Sequence, residues 1–327
     1  MKTITILVPA YNEEAVLKQL YDRLIKVING IPSYNFEILF VNDGSRDNTL
    51  AIIKSLRMND ERISYVDLSR NFGKEIAMIA GLDYAAGDAV IIIDADLQDP
   101  PELIPEMINY WEQGYDDVYA KRKSRSGETW LKKWTSSVFY KILQKLTRIP
   151  IQENTGDFRL LDRRCVEALK QLREAQRYTK GMFSWIGYNK KEILFDRDPR
   201  AAGETKWNYA RLTDLAIEGI TSFTTTPLRL SALFGCVISF FAFVYMLWII
   251  AKTLIFGDPV AGYPSLMTTI LFLGGIQLIS LGIIGEYLGR IFNETKNRPL
   301  YFVDEYNNEK ELNQNEHTVR SRAYVHQ

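Results

Sequence analysis

The chain has 327 residues, which is room for about two domains, and its 40 basic and 40 acidic residues give it no net charge. We therefore expect no general attraction to nucleic acid. Its two histidines, His317 and His326, lie in a polar tail, which excludes Ser-His-Asp and Cys-His catalysis and leaves carboxylates, cationic side chains, hydroxyls and a bound metal.

From residue 3 to residue 121 the sequence alternates between short β-branched runs and longer segments with helical spacing. The runs predict strands at 4–8, 36–42, 63–68, 89–94 and 117–120, and the segments predict helices at 14–28, 48–58, 74–85 and 102–112. This alternation predicts an α/β fold with a doubly wound, mostly parallel sheet. Polar residues follow the strands, and they would meet at the carboxyl edge of the sheet, where ligands bind.

Two carboxylates, Asp94 and Asp96, follow the apolar run at 89–93. Like charges at the end of a buried strand are costly unless a cation neutralises them. Oxygen ligands at this spacing suit Mg²⁺ or Mn²⁺ held together with a substrate's phosphates. The alternative is a turn in which one of the two aspartates caps the helix that begins near Pro101.

Common nucleotide-binding loops do not match this sequence. No Gly-x-Gly-x-x-Gly follows the first strand, and Gly73-Lys74 lacks both the upstream glycine and the following Ser or Thr of a P-loop. A dinucleotide-binding fold of the usual kind is therefore disfavoured.

Residues 121–148 carry nine basic side chains against one acid, with Trp130 and Trp134 among apolar residues at helical spacing. This pattern predicts an amphipathic helix at about 129–147 on an anionic membrane surface. The alternative is a helix packed on its own domain, with its lysines in water. A second amphipathic segment is predicted at about 209–226, leading towards the membrane.

Two long apolar runs follow, each with about the 20 residues that cross a bilayer as a helix. They predict a membrane domain at 229–290 with spans at about 230–256 and 266–288. The loop between them has no Lys or Arg, so the positive-inside rule predicts that both termini are cytoplasmic. Glycines in the second span suggest close helix packing and a homo-oligomer. Residues 291–327 are expected to be a largely disordered cytoplasmic tail.

Four motifs, in order and with this spacing, resemble those of family 2 glycosyltransferases of the GT-A fold. They are Val8-Pro-Ala-Tyr-Asn-Glu-Glu14, Val41-Asn-Asp-Gly-Ser45, the Asp94-Ala-Asp96 pair and Gly203-Glu-Thr-Lys-Trp207. The likeness covers residues 1 to about 300 and points to the polyprenyl-phosphate branch, that is, to bacterial bactoprenol glucosyltransferases, which are similar to dolichyl-phosphate mannose synthases. It implies a GT-A type catalytic domain at 1–228, followed by the two-helix transmembrane hairpin.

The resemblance implies that the first loop, the aspartate after the second strand and the aspartate pair hold the nucleotide sugar. The matching positions are Pro9, Ala10, Tyr11, Glu13, Asp43, Asp94, Ala95 and Asp96. Tyr11 can stack on the base, and Glu13 and Asp43 can accept hydrogen bonds from ribose hydroxyls or a base N–H. The alternatives are a favourable charge in the first turn of a helix for Glu13 and a turn residue for Asp43.

The same resemblance implies that Asp94, Asp96 and Gln98 hold Mg²⁺ or Mn²⁺ against the diphosphate, and that Asp157 lies near the acceptor nucleophile. A phosphate acceptor is already largely an anion near neutral pH. Asp157 is therefore either a base or a residue that orients Arg159 or the sugar.

Cations are also needed to bind the acceptor phosphate or the diphosphate. The candidates are Arg122, Arg159, Arg200 and Lys206, with membrane-surface charge as the alternative for each. Arg70 and Lys74 could reach the diphosphate, or they could be solvated surface charges.

The motifs and the resemblance together imply an inverting, metal-dependent transfer of a hexose from a nucleotide sugar to polyprenyl phosphate at the cytoplasmic face of the inner (plasma) membrane. The product would be a lipid-linked donor for cell-surface glycan modification. UDP-glucose is the expected donor, and GDP-mannose and UDP-N-acetylglucosamine are alternatives.

Two rival functions can be weighed. A processive polysaccharide synthase is disfavoured because the Gln-x-x-Arg-Trp motif is absent from the sequence and two spans cannot readily enclose a channel. The other rival is a non-catalytic membrane scaffold that binds nucleotide sugar, and the intact acidic pair argues against it.

Overall fold

The structure is a computed structural model that describes residues 1–123, 152, 155–175, 177–196, 224–256, 262–307 and 309–310. The chain divides into two compact units, Met1–Thr213 with Pro299–Gln327, and Asp214–Arg298. The first unit contains a large sheet with its helices, and the second contains two long helices.

The described part of the first unit alternates strands and helices from its first residues. The strands are β1 (Thr3–Ala10), β2 (Asn35–Asn42), β3 (Ile63–Leu68), β4 (Ala89–Ile92), β5 (Asp117–Arg122), β6 (Thr155–Asp162), β7 (Lys190–Phe195), β8 (Val303–Tyr306) and β9 (Glu309–Lys310). The helices are α1 (Leu17–Asn29), α2 (Thr49–Asn59), α3 (Lys74–Tyr84), α4 (Ile104–Glu112), α5 (Arg163–Gln171) and α6 (Thr179–Trp185). A 3₁₀ turn, Pro101–Leu103, leads into α4.

The strands form one mixed sheet in the order β7-β5-β6-β4-β1-β2-β3-β8-β9. The central strands β4, β1, β2 and β3 run parallel, which confirms the doubly wound, mostly parallel sheet. Strand β6 runs antiparallel between β4 and β5, and β7 is parallel to β5. Because β6 is reversed, its first residues lie at the edge of the sheet where β4 ends.

Strand β1 is buried on both faces, as its almost continuous apolar run predicts. On one face Ile4, Ile6 and Val8 belong to the core that includes residues of α1 and α4. On the other face Leu7 meets α3 at Gly81, where an added methyl group would lie 2.0 Å from a Leu7 methyl carbon. Helix α3 therefore packs directly on the centre of the sheet, and this contact positions its first residue near the ends of β4 and β6.

Several predicted boundaries differ from the structure, and the end of β4 and the start of α1 are two of them. Strand β4 ends at Ile92 instead of Asp94, although the Ile93 N–H still donates to Leu7 O at 3.0 Å. Helix α1 begins at Leu17 instead of residue 14, because the preceding loop bonds to the loop after β2. In that contact the Glu14 N–H donates to Asp47 Oδ2 at 3.2 Å.

Strand β8 lies in the segment expected to be a largely disordered tail. It pairs antiparallel with β3, and the Ser69 N–H donates to Phe302 O at 2.9 Å. Lys54 Nζ lies 2.6 Å from Glu305 Oε2. The tail expectation therefore does not hold for residues 303–306, where the chain completes the edge of the first unit. Residues 311–327 lie outside the described residues.

The second unit contains α7 (Thr226–Phe256) and α8 (Tyr263–Thr295). Within them, Thr226–Tyr245 and Phe272–Thr295 are long and apolar enough to cross a membrane, with mean hydropathies of 1.9 and 1.4. The predicted pair of apolar helices is thus confirmed. The amphipathic helix expected at 129–147 lies outside the described residues, as does the one at 209–226 except for its last three residues.

Replacing Glu305 by alanine should loosen β8. The Glu305 carboxylate pairs with Lys54 and accepts a hydrogen bond from the Tyr65 hydroxyl. Losing a charged hydrogen-bonding partner costs about 1.5–3 kcal/mol. Hydrogen–deuterium exchange on the full chain should show the β8 amides exchanging about 10- to 100-fold faster. Asp304→Ala is the matched control, because Asp304 is exposed on the same strand. An equal effect in both variants would contradict the role assigned to Glu305.

Candidate active site

The loops at the carboxyl ends of β2 and β3 pack tightly against each other. Gly44 has φ +63°, and a methyl group on it would lie 2.4 Å from the Arg70 carbonyl carbon. Only glycine accommodates both the left-handed backbone and this close approach. The β1 loop joins the same edge, where the Asn12 N–H donates to Ser45 Oγ at 3.0 Å. The predicted meeting of polar loops at the carboxyl edge is therefore present.

Asp43 fixes the start of α3. The residue is 2% exposed, and its carboxylate accepts hydrogen bonds from the Phe72 N–H at 2.7 Å and the Gly73 N–H at 2.9 Å. Burial raises the pKa of Asp43, while the two backbone donors and Arg70 act in the opposite direction. The structure thus gives Asp43 a role in holding the loop, and its contact with a nucleotide stays a prediction.

The residues predicted to hold the nucleotide lie at one edge but differ in exposure. Pro9 and Ala10 are buried at the end of β1, whereas Tyr11 is 42% exposed. Glu13 is half-buried in the loop before α1. An exposed aromatic ring beside this edge is compatible with base stacking, which stays a prediction.

Lys74 lies between two carboxylates that belong to neighbouring strands. Its Nζ is 2.7 Å from Asp94 Oδ1 and also contacts Asp157 Oδ2. Asp94 follows β4, and Asp157 lies at the start of the reversed β6, so the register of the two strands brings the aspartates together. Lys74 is therefore a member of this cluster and not an isolated surface charge.

The pKa of each of these three side chains is shifted by at least one of the other two. Burial raises the pKa of Asp94, an effect that Lys74 opposes. Burial also acts to raise the pKa of Asp157, but the positive charges of Lys74, Lys180 and Arg159 outweigh it and lower this pKa to about 2. Burial alone would lower the pKa of Lys74, yet the two carboxylates raise it above its ordinary value. Two carboxylates and one ammonium leave this group of three side chains with a net negative charge.

Asp96 lies in a strained turn after β4. The Gln98 N–H donates to Asp96 Oδ1 at 3.2 Å, and Leu97 between them has φ +60°. A left-handed leucine costs about 1–2 kcal/mol, which burial of its side chain in the core can offset. Ala95 and Leu97 are buried, whereas Asp94, Asp96 and Gln98 alternate with them and are half-buried. The turn therefore presents oxygen atoms at the edge of the sheet.

The alternative in which an aspartate caps the following helix is wrong. The N-cap residue of the 3₁₀ turn is Pro100 and that of α4 is Leu103, and neither provides a side-chain cap. The carboxylates of Asp94 and Asp96 are thus not used in helix capping here.

The donor set fits a metal that shares its coordination with a substrate. Among the described residues there is no group of three His, Cys, Asp or Glu side chains placed to hold an ion by themselves. Asp94, Asp96 and Gln98 nonetheless supply the hard oxygen atoms that Mg²⁺ and Mn²⁺ prefer. Mg²⁺ is commonly bound by one or two carboxylates together with substrate phosphates. These residues suit an ion that arrives with a diphosphate.

Arg122 lies beside the aspartate cluster at the end of β5. A methyl group on Gly156 would lie 3.7 Å from Arg122 Nη2 and 3.9 Å from Asp99 Oδ2, so the guanidinium lies against the residue that precedes Asp157. Arg122 is half-buried. Its position keeps it as a candidate phosphate ligand.

Arg159 lies deeper than the sequence analysis expected. Its side chain has no exposed surface; one nitrogen is 3.1 Å from Asp117 Oδ2, and the guanidinium carbon is 3.7 Å from the ring centroid of Phe183. Because β6 is antiparallel to β4, Arg159 is two residues further from the carboxyl edge than Asp157. The guanidinium is thus paired with Asp117 inside the first unit, and phosphate binding by Arg159 stays a prediction. Its charge also acts on Asp157.

Two of the predicted phosphate-binding residues lie outside the described residues. Arg200 and Lys206 belong to the segment 197–223, as does the motif at 203–207. Their contacts stay predictions.

Glu75 is a site neighbour that the sequence analysis missed. The Thr179 N–H donates to Glu75 Oε2 at 3.1 Å, which ties α3 to α6 beside the cluster. Burial, together with the nearby charge of Asp157, raises the pKa of Glu75 to about 7. The signal available in the sequence was the Gly73-Lys74-Glu75 helix start, with four residues between it and the end of β3.

Comparison with known proteins finds glycosyltransferases that are similar to nearly the whole chain. Residues 5–170 match the family model Glycosyl transferase family 2, and residues 226–291 match the GtrB C-terminal hairpin. An uncharacterized glycosyltransferase of Synechocystis is 53% identical over 302 residues, covering 92% of this chain and 95% of that protein. A prophage bactoprenol glucosyl transferase homolog of Escherichia coli is 47% identical over 300 residues, covering 92% and 98%. A bactoprenol glucosyl transferase of Shigella phage SfV is also 47% identical, covering 92% and 97%.

Removing Asp117 should destabilise the first unit, because Arg159 would be left charged and buried. Breaking a buried ion pair in this way costs about 3–5 kcal/mol. The midpoint of thermal unfolding of the full chain should fall by about 6–20 °C in Asp117→Ala. A double variant, Asp117→Leu with Arg159→Met, removes both charges and should recover most of the loss. Unchanged stability in Arg159→Met alone would contradict the structural role of this arginine.

Proposed function

This chain belongs to glycosyltransferase family 2, and from that membership we propose that it transfers a hexose from a nucleotide sugar to the phosphate of a polyprenyl phosphate. Similarity to bactoprenol glucosyl transferases at 47% identity supports the lipid phosphate as acceptor and glucose as the sugar. The expected donor is UDP-glucose, and the product is a lipid-linked glucose for cell-surface glycan modification.

The observation that carries the proposal is the cluster of Asp94, Asp157 and Lys74, with Asp96 beside it, at the carboxyl edge of the sheet. Transfer from a nucleotide sugar releases a nucleoside diphosphate, on which negative charge grows as the glycosidic bond breaks. A site for this reaction needs cations beside the diphosphate to stabilise its charge. It also needs an open path by which the anionic acceptor can reach the anomeric carbon. The cluster supplies Lys74 and the oxygen ligands for a metal.

The loops after β1 and β2 are proposed to hold the nucleoside. Tyr11 would stack on the base, and Glu13 and Asp43 would accept hydrogen bonds from the ribose or the base. The two backbone donors on Asp43 leave each of its oxygens a further lone pair, so that its structural and binding roles are compatible.

Asp94, Asp96 and Gln98 would hold a divalent ion, Mg²⁺ or Mn²⁺, against the donor diphosphate. When bound, this ion would stabilise the charge that develops on the departing nucleoside diphosphate. The turn with its left-handed backbone at Leu97 would hold Asp96 and Gln98 near the ion.

Asp157 is proposed to orient its neighbours and not to act as a base. An effective general base has a pKa near the working pH, whereas Lys74, Lys180 and Arg159 lower the pKa of Asp157 to about 2 in the site without donor. The acceptor phosphate is already an anion. One of its oxygens would attack the anomeric carbon as the bond to the diphosphate breaks, which inverts the configuration and requires no proton transfer.

The two long apolar helices support a location in a membrane, where a polyprenyl phosphate resides. We propose that the catalytic domain and both termini are cytoplasmic, because the loop between the spans has no Lys or Arg, whereas Arg229 and Arg290 flank their other ends. The basic segment at 121–148 would lie at the membrane surface and, with Arg122, attract the acceptor phosphate. Self-association through the spans is part of the same proposal.

Asp96→Ala should lower transfer by about 100-fold or more, because the metal would lose a charged ligand. The assay uses the purified full chain with Mg²⁺, polyprenyl phosphate and UDP-glucose, and follows both glycolipid and released UDP. Membrane insertion should be unchanged. Asp22→Ala, on the exposed face of α1, is the control. Normal transfer by Asp96→Ala would contradict the metal site.

The donor is tested with the same assay. UDP-glucose, GDP-mannose and UDP-N-acetylglucosamine are supplied separately with one polyprenyl phosphate, and glucose transfer is expected. If no donor released its nucleoside diphosphate, a non-catalytic binding protein would become the better account. A glycan that grows on one acceptor would favour a processive synthase.

A further inference from the structure

We propose that Lys74 takes the place of the divalent cation while the donor is absent, and that it moves to the diphosphate when metal and donor enter together. This inference rests on the proposed function. It makes Lys74 a residue that couples metal binding to donor binding.

The first support is the position of Lys74 Nζ. It lies 2.7 Å from Asp94 Oδ1, and Asp94 is one of the proposed metal ligands. It also contacts Asp157, so that one ammonium compensates carboxylates from two strands. A free metal ion that binds Asp94 would lie within a few ångströms of the Lys74 ammonium and be repelled by it. Metal alone should therefore bind weakly.

The second support is the way in which Lys74 is attached. Its backbone begins α3 directly after Phe72 and Gly73, whose N–H groups are held by Asp43. The helix itself packs on β1 through Gly81. The backbone is thus well anchored, whereas the four-carbon side chain can rotate. Lysine is suited to such an exchange, because its ammonium is a compact point charge with rotatable donors.

The third support is the charge balance. The donor diphosphate brings negative charge that can pair with both the metal and Lys74. When Lys74 leaves Asp94 for the diphosphate, the carboxylate becomes available to the ion. Metal and donor would then each strengthen the binding of the other, and this coupling must be equal in both directions.

The test measures Mn²⁺ binding to the full chain in detergent, with electron paramagnetic resonance of free Mn²⁺ as the readout. UDP is the probe for the donor diphosphate, and Mn²⁺ bound by UDP in solution is subtracted. In the unaltered chain, UDP should tighten Mn²⁺ binding by about tenfold or more. In Lys74→Met, Mn²⁺ alone should bind about tenfold more tightly, and the added effect of UDP should shrink.

Two further variants complete the design. Lys74→Arg keeps the positive charge and should retain weak binding of Mn²⁺ alone. Lys54→Met removes a lysine with a comparable ion pair, 2.6 Å from Glu305, at another edge of the sheet, and should leave Mn²⁺ binding unchanged. Binding of Mn²⁺ with UDP by Lys74→Met would also show that its site is folded.

The outcomes separate this inference from the proposed function. The unaltered chain could bind Mn²⁺ with UDP while Lys74→Met binds Mn²⁺ alone no more tightly than the unaltered chain does. In that case Lys74 does not take the place of the metal, and the proposed metal site stands. If the unaltered chain binds no Mn²⁺ even with UDP, the metal-dependent part of the proposed function fails, and this inference fails with it.

Discussion

Repulsion between carboxylates is the constraint on which the active site depends. Asp94 and Asp157 are brought together by the pairing of β4 with the reversed β6, and Asp96 lies only two residues further on. Such a cluster is unfavourable without compensating charge. Lys74 supplies that charge, and the loop contacts that begin α3 place it there. The geometry of the site therefore depends on the contacts of one lysine with two carboxylates.

Much of the fold was predictable because the central strands are buried on both faces and their apolar runs are nearly continuous. Strand β3 was predicted with both its bounds. The edge strands were not predictable in this way. Strand β8 has the sequence Val-Asp-Glu-Tyr, in which only Val303 is buried, and its stability comes from contacts with residues far away in the chain.

The candidate site was predictable only in part, because it too depends on contacts between residues far apart in the chain. Asp94 and Asp96 were identified by their place after an apolar run, and Asp157 by the family resemblance. The depth of Arg159 depends on the direction of β6 and on its pairing with Asp117, neither of which is local information. The double contact of Lys74 likewise joins three separate elements. Sequence patterns identify side chains that can react, whereas strand register decides which of them meet.

The position of β8 in the chain has a consequence for synthesis. Its partner β3 is complete by residue 68, but the residues that cover this edge follow both long apolar helices. An unpaired strand edge can associate with other chains. During translation this edge of the catalytic domain therefore stays open until both apolar helices have been synthesised. The last step in assembling the sheet is thus tied to completion of the hairpin, so a chain that stops before residue 303 would keep a sheet edge available for aggregation.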